Sequence, residues 1–369
     1  MKRINFNKFN SFYNLHELEA NELITKTLQS GKYIRDKNTE ILEQNLCTLC
    51  NRKFALTTAS CTDAIFFALK TVGIKAGDEV ILPSFSYIAS LSPILMCGAI
   101  PVFVDIKPDS LDMNLDIVTN IITKKTKAII FVQLFGNITD LSKLKEICAN
   151  SNIFIIEDSA QSIGSKLNDI PCASQGDISC LSFDPTKIVS AYGTGGAVLT
   201  NNDTYYHKLQ KLIHHGRNEQ GEFDLLGYNS KISEVNAALI NLQLNHLDEI
   251  ITGIRDIAKK YIHKLNRIPE IQFVKSKSNC ISTYHKFVII AEKRDELKHH
   301  LNKNGIETRI HYTPLLHEQK LLRDFRHITH DLSASKEIKK KVLSLPIYPG
   351  LKNKEIDYIC DCIINFYKI

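Results

Sequence analysis

Lys187 stands in the run Ser182-Phe183-Asp184-Pro185-Thr186-Lys187. Upstream lies Glu157-Asp158-Ser159-Ala160-Gln161, and downstream Gly193-Thr194-Gly195-Gly196. An amine, a carboxylate at the end of an apolar run and nearby hydroxyls form a set with one obvious use. A lysine amine can condense with an aldehyde. A carboxylate can hold a protonated ring nitrogen. Hydroxyls and amides can take a phosphate. The ordered set therefore predicts a pyridoxal 5'-phosphate site, with Lys187 and Asp158 as its catalytic residues. Alone, Lys187 would read as a solvated surface lysine, and Asp158 as a turn residue after a strand.

The phosphate needs several donors and positive potential. Cys61 and Thr62, with the amides up to Asp63, fall where an apolar helical pattern begins, and a helix N-terminus favours an anion. Ser182 adds a hydroxyl. Thr62 could equally be a plain helix N-cap.

The elements that must position these residues alternate between strand and helix. Strands are expected at Glu79–Leu82, Pro101–Asp105, Lys127–Val132, Ile153–Glu157, Cys180–Phe183 and Ala197–Thr200. Helices are expected at Glu17–Leu28, Asn38–Leu49, Thr62–Val72, Tyr87–Cys97 and Leu141–Ala149. Short apolar runs flanked by helices predict an α/β fold with a mostly parallel sheet covered on both faces. Ligands bind beyond the carboxyl ends of such strands, where Asp158 and the Ser182–Lys187 loop fall. A long helical stretch, Ser233–Asn266, leads into a smaller α+β region. That region has strands at Ile271–Val274 and His285–Ile290, and helices at Arg294–Lys303 and Asn353–Phe366.

The chain has 369 residues, 44% hydrophobic and 23% charged, which suffices for a large and a small unit with sizeable cores. The net charge of +6 is scattered. It suits solubility and attraction of a phosphorylated substrate. Nucleic-acid binding is not expected, because no dense basic stretch carries interleaved aromatics. No secretion signal or membrane span is expected. The ten cysteines are irregularly spaced, which predicts reduced thiols in a cytoplasmic protein. Cys47-x-x-Cys50 and Cys360-x-Cys362 lack the paired spacing of a zinc site, so no metal is expected. No Gly-x-Gly-x-x-Gly follows the first strand, which argues against a dinucleotide oxidoreductase.

From about Ser30 to the end the chain resembles the DegT/DnrJ/EryC1/StrS family of sugar aminotransferases. The resemblance rests on Ser60-Cys61-Thr62-Asp63-Ala64, Gly77-Asp78-Glu79-Val80-Ile81-x-Pro83, Phe85-Ser86-Tyr87-Ile88-Ala89-Ser90, Pro101-Val102-Phe103-Val104-Asp105 and Glu157-Asp158-x-Ala160-Gln161. It continues through Tyr228-Asn229-Ser230-Lys231, Gly305-Ile306-Glu307, His311-Tyr312 and Leu343-Ser344-Leu345-Pro346. It implies an aspartate-aminotransferase-like fold (fold type I). The large cofactor-binding domain, residues 1–245, would begin with a helical segment and hold a mostly parallel seven-stranded sheet. A small α+β domain would span residues 246–369.

The resemblance further implies that Lys187 forms the Schiff base and moves the proton. Gln161 would hydrogen-bond the ring hydroxyl and Tyr87 would stack on the ring. A surface glutamine and a core or interface tyrosine are the competing readings. Asn229 would reach in from a neighbouring subunit, making a homodimer with shared sites. Asp184, His311 and Tyr312 would face the substrate, although a structural histidine is an equal reading of His311. His214 and His215 receive no role. The expected substrate is a nucleoside-diphosphate keto-sugar. L-Glutamate would be the donor and pyridoxamine 5'-phosphate the cofactor's alternate form. Tyr87-Ile88-Ala89-Ser90 and Pro185-Thr186-Lys187 lean towards 3-keto sugars, with 4-keto sugars as the alternative. Related dehydratases have histidine in place of the lysine, so Lys187 argues against that activity. A cofactor-holding regulatory homologue is a further alternative. Cys61, Asp184, Thr194 and Asp36 depart from the common family pattern.

Overall fold

The computed structural model describes residues 3–149 and 151–368; Met1, Lys2, Asn150 and Ile369 lie outside the described residues. The large sheet takes strands β1 (Phe54–Thr58), β2 (Glu79–Pro83), β3 (Ile100–Val104), β4 (Thr126–Val132) and β5 (Phe154–Asp158). A short hairpin, β6 (Lys166–Leu167) and β7 (Ile170–Pro171), interrupts it before β8 (Ile178–Ser182) and β9 (Gly196–Thr200). Smaller strands follow: β10 (Ile271–Phe273), β11 (Cys280–Ile281), β12 (Phe287–Ala291), β13 (Ile328–Thr329) and β14 (Val342–Leu345).

The large sheet runs β1-β9-β8-β5-β4-β2-β3-β13. Only β9 is antiparallel to its neighbours. Six of its strands match those expected from the sequence, β1 is not among them and completes the seven that the resemblance implies, and an eighth extends the sheet. Ile328 and Thr329 pair in parallel with Val102 and Phe103. Two residues are too short a run for an apolar pattern to announce. The all-antiparallel order β10-β12-β14 forms a second, smaller sheet.

Buried strands explain the unbroken apolar runs. All five residues of β2, β3 and β8 are buried. The helix Cys61–Thr71 packs against β8 and β9 and is buried nearly all round, from Ala64 to Leu69. A helix so enclosed needs apolar residues on every face.

Two expected helices are broken. Tyr87–Cys97 divides into a 3₁₀ turn, Ile88–Ser90, and a helix, Ser92–Met96. Pro93 sits in that helix's first turn, where its missing N–H costs nothing. The break also leaves the Ser90 side chain free to turn towards Asp158. The stretch from Ser233 stops at His246 and restarts as Leu247–Leu265. The first residues join the C-terminal region: the Ile4 amide donates to the Gly305 carbonyl, and the Glu307 amide donates to that of Ile4, both at 2.9 Å. Eight of the ten cysteines are buried. The Cys50 sulfur faces that of Cys172 at 4.0 Å. No helix among the described residues is long and apolar enough to cross a membrane.

Beneath the carboxyl end of β5 lies a buried ion network. Glu157 accepts from the amides of Gln175 (2.8 Å) and Gly176 (3.1 Å), from the Ser179 hydroxyl (2.8 Å) and from Gln133 Nε2 (3.1 Å). Arg52 donates to the carbonyls of Ala173 and Gly176, both at 2.7 Å, and to Ser179 Oγ at 2.6 Å. Its guanidinium is 4.0 Å from the Glu157 carboxylate. This fixes the residue immediately before Asp158. Removing one partner of a buried pair leaves the other charge uncompensated. Arg52→Ala is expected to destabilise the unliganded protein by about 3 kcal/mol or more. Urea denaturation checks this; a loss below about 1 kcal/mol, the scale of a surface pair, would show that the network does not anchor the strand.

Candidate active site

The carboxyl ends of β1, β2, β5 and β8 converge on a cavity of 490 Å³. Asp158 ends β5 and Ser182 ends β8. The helix Cys61–Thr71 starts just beyond β1. The C-terminal region closes the opposite side with His285, Lys286, Arg309, His311 and Tyr312.

Lys187 lines the cavity on the loop between β8 and β9, with its amide donating to the Asp184 carbonyl at 2.9 Å. It is half-buried, because its remaining exposed surface faces the cavity. Enclosure pushes its amine below the ordinary lysine range, against the pull of Cys61, Asp158 and Asp184. A lowered amine is more often neutral and nucleophilic.

Asp158 is buried. Its Oδ2 accepts from Ser90 Oγ at 2.7 Å, and its Oδ1 from the Ala160 amide at 3.1 Å. Ser90 Oγ lies 3.0 Å from Ser86 Oγ. No Lys, Arg or His forms an ion pair with Asp158 among the described residues. Burial therefore raises its carboxyl, and the hydrogen bonds and Lys187 only partly oppose this.

Gln161 Nε2 donates to the Tyr312 hydroxyl at 3.0 Å, and its Oε1 accepts from the Phe135 amide at 3.1 Å. It is buried and lines the cavity, so the surface-glutamine alternative is wrong. One amide hydrogen remains for a ligand. Tyr87 is 56% exposed and borders the cavity 6.1 Å from the Tyr312 ring, so it is no core residue.

At the helix start, Ser60 is the N-cap and accepts from the Asp63 amide at 3.1 Å. Thr62 is therefore not the cap, and its side chain is left to the cavity it lines. Cys61 is the first helical residue and needs no glycine conformation. The close approach is made instead at Gly196, where a Cβ would lie 2.5 Å from the Cys61 amide nitrogen. Asp36 has an ordinary extended backbone (φ −125°) as the N-cap of the helix Lys37–Cys50, and it is absent from the cavity wall.

Asp184 Oδ1 accepts from the Thr186 amide (2.9 Å) and hydroxyl (2.6 Å), so this acid shapes the lysine loop. His311 Nδ1 is 2.8 Å from Ser344 Oγ, and burial lowers the ring to about 3. It is a neutral imidazole. Burial raises the Tyr312 hydroxyl.

Asn229 is the one proposed cofactor ligand that does not reach this cavity. It is exposed and bridges His214. The preceding loop exposes Phe223 (71%) and Leu226 (78%). His214 and His215 are likewise outside the cavity. A smaller hollow of 240 Å³, lined by Arg35, Glu43 and Lys231 among others, shares none of the site's residues.

Several wall residues escape a reading of the sequence. Phe6, Asn7 and Phe9 arrive because the N-terminal segment pairs with residue 305 onward. Lys286 and Arg309 come from the C-terminal sheet region. Ser86 and Ser90 were visible only as part of a motif; their four-residue spacing, with one hydroxyl reaching Asp158, was the available signal.

The donor set fits pyridoxal phosphate: an amine, a buried acid without a cation, an amide and a hydroxyl-bearing helix start surround one cavity. Fold and cavity together define a pyridoxal-phosphate aminotransferase of fold type I. The chain belongs to the DegT/DnrJ/EryC1/StrS aminotransferase family, whose match covers residues 15–364. It is 32% identical to a pleiotropic regulatory protein of Geobacillus stearothermophilus, over 95% of each chain. It is 33% identical to GDP-perosamine synthase of Vibrio cholerae, over 91% of each. Among solved structures, S. venezuelae DesV in complex with a ketimine intermediate superposes with a TM-score of 0.96, at 29% identity over 100% of both chains.

The raised Asp158 carboxyl has a consequence for stability. A group raised in the folded state holds its proton longer than in the unfolded chain. The unliganded protein thus loses stability as pH rises from the unfolded value through the folded one. Asp158→Asn removes that loss. At pH 7 its unliganded form is expected to melt no lower than the parent, while its reaction with an amino donor falls about 100-fold or more. Thermal denaturation and single-turnover spectroscopy check both; a melting point several degrees lower would show that the carboxylate is structural.

Proposed function

We propose that this enzyme transfers an amino group from L-glutamate to a nucleoside-diphosphate keto-deoxysugar, at C3 of a 3-keto sugar, giving an aminodeoxysugar nucleotide. The supporting observation is one cavity that gathers Lys187, Asp158, Gln161 and the start of the helix Cys61–Thr71. Bound there, pyridoxal phosphate supplies an aldehyde for amine exchange and a ring that delocalises carbanionic charge. The residues do the rest. Lys187 Nζ accepts and returns the proton at the reacting carbon. The Asp158 carboxylate would pair with the protonated ring nitrogen and so keep the ring electron-withdrawing. Gln161 orients the ring through its remaining amide hydrogen. Tyr87 would cover one face of the ring. Thr62, Ser182 and the amides near Cys61 hold the phosphate. Asp184, His311 and Tyr312 border the space left for the sugar.

We further propose a cytoplasmic homodimer in which each site borrows Asn229 from its partner. The exposed apolar tip at Phe223 and Leu226 supports a covering partner.

The first test is the visible absorption of the cofactor-loaded protein before and after L-glutamate. The expected result is a visible band that disappears with glutamate, and loss of turnover in Lys187→Ala. A band indifferent to glutamate points to another donor or to a regulatory cofactor binder, a reading that the similarity to the pleiotropic regulatory protein keeps in view. A fully active Lys187→Ala enzyme overturns the mechanism. Paired 3-keto and 4-keto nucleotide sugars then assign the position; preference for the 4-keto sugar reverses the C3 assignment.

Sharing of sites has its own check. Lys187→Ala and Asn229→Ala, each inactive alone, should regain activity when mixed and allowed to exchange subunits, because one hybrid site is intact. No recovery in proven hybrids would place Asn229 outside the partner's site.

A further inference from the structure

Lys286 immediately precedes β12 and is only 7% exposed. Among the described residues its ammonium has one hydrogen-bond partner, the Thr186 carbonyl at 3.5 Å. No carboxylate pairs with it among the described residues. The acid that acts on it electrostatically, Asp184, commits Oδ1 to the amide and hydroxyl of Thr186 and forms no ion pair with Lys286. The Phe6 ring lies 5.4 Å from the Lys286 ammonium, closing another side to water. The side chain nevertheless lines the same cavity as Lys187.

A buried lysine without an acid is costly and needs either neutralisation or an anion. Burial and the neighbouring Lys187 push Lys286 down to about 7. At neutral pH it is therefore poised between the two, and an arriving anion would draw it to the charged state. The phosphate-holding groups proposed above belong to the ends of β1 and β8 and the helix that follows β1. Lys286 comes from the other wall, against the residue that precedes Lys187. The amine exchanged at Lys187 sits, in any amino-acid donor, on a carbon that also bears a carboxylate. A cation beside the reactive lysine is placed for that group. His285 stands next to it, buried, with an Nδ1 that has no partner.

We propose that Lys286 is a carboxylate-anchoring residue of this cavity, binding the carboxylate of the amino donor, or one carried by the sugar, as it reaches Lys187. This rests on the aminotransfer reading above. Arg309 is a poorer candidate, because Glu307 already holds it at 2.5 Å.

The test uses the cofactor-loaded enzyme and three variants. Lys286→Met keeps the length and removes the charge. Lys286→Gln keeps a donor for the Thr186 carbonyl, in case the first folds poorly. Lys286→Arg restores the charge. Calorimetric binding of succinate, a non-reacting dicarboxylate, and the glutamate dependence of band loss are measured for each. UDP-glucuronate is compared with UDP-glucose. Met and Gln are expected to weaken succinate and L-glutamate by roughly tenfold or more, with Arg recovering most of it. That result assigns the donor's carboxylate. Selective weakening of UDP-glucuronate, with UDP-glucose unchanged, assigns a carboxylate on the sugar. Unchanged affinity for succinate, glutamate and UDP-glucuronate overturns the proposal. A parent enzyme that ignores glutamate fails the functional reading instead, and the succinate titration still judges Lys286.

Discussion

The site depends on charges that the protein buries and leaves unpaired. Asp158 is enclosed with a hydroxyl and an amide for company, but no cation. Lys187 and Lys286 line the same cavity, and among the described residues neither forms an ion pair, although Asp184 pulls on both. Each would be more stable in water. The fold tolerates Asp158 because the scaffold beneath it is already satisfied. Glu157, one residue before Asp158, has four donors and a nearby guanidinium. The contrast between adjacent residues separates scaffold from site. One carboxylate is closed by the protein, and the next is left for a ligand to close.

Parallel topology converts that electrostatic need into a place. The ends of β1, β2, β5 and β8 face one way, and each hands its loop to the same cavity. β9 runs the other way, so its first residue, Gly196, lies opposite both Thr58 and Ser182. A side chain there would strike the backbone at Cys61. The close approach of two chain segments is thus set by the glycine at 196, and position 61 is free to carry a thiol.

Much of this was legible because apolar runs, turns and chemistry coincide in sequence. Asp158 ends a run of four buried or near-buried residues, and Lys187 follows the end of β8 by five positions. What was not legible has a common cause. Ser90 acts on Asp158 across 68 positions, and only because a proline-containing helix starts late enough to free it. Thr62 resembles a cap by type and position, yet Ser60 does that work. β13 has two residues and exists by pairing with β3, which no local pattern encodes. Lys286 reads as a charge interrupting a strand. Its meaning comes from Thr186, 100 positions away.

That last distance bears on how one scaffold serves relatives as different as a pleiotropic regulatory protein and a perosamine synthase. Lys187 and Asp158 come from the large sheet, while Lys286, Arg309, His311 and Tyr312 come from the C-terminal region. The two regions share a core cluster, with Val288 and Ile290 alongside Leu82 and Phe103, and they meet again at the cavity, where Gln161 donates to Tyr312. At the cavity they supply separate walls, so the charge of the facing wall can change without altering the residues placed to hold a cofactor. A wall with an unpaired lysine selects anions. A wall without one would leave the same cofactor site with a different appetite, or with none. On this chain the facing wall carries Lys286 and Arg309, and among the described residues only Arg309 is tied to an acid. That asymmetry favours anions at the facing wall, and a donor's carboxylate is one that the phosphate-holding groups of the opposite wall do not already serve.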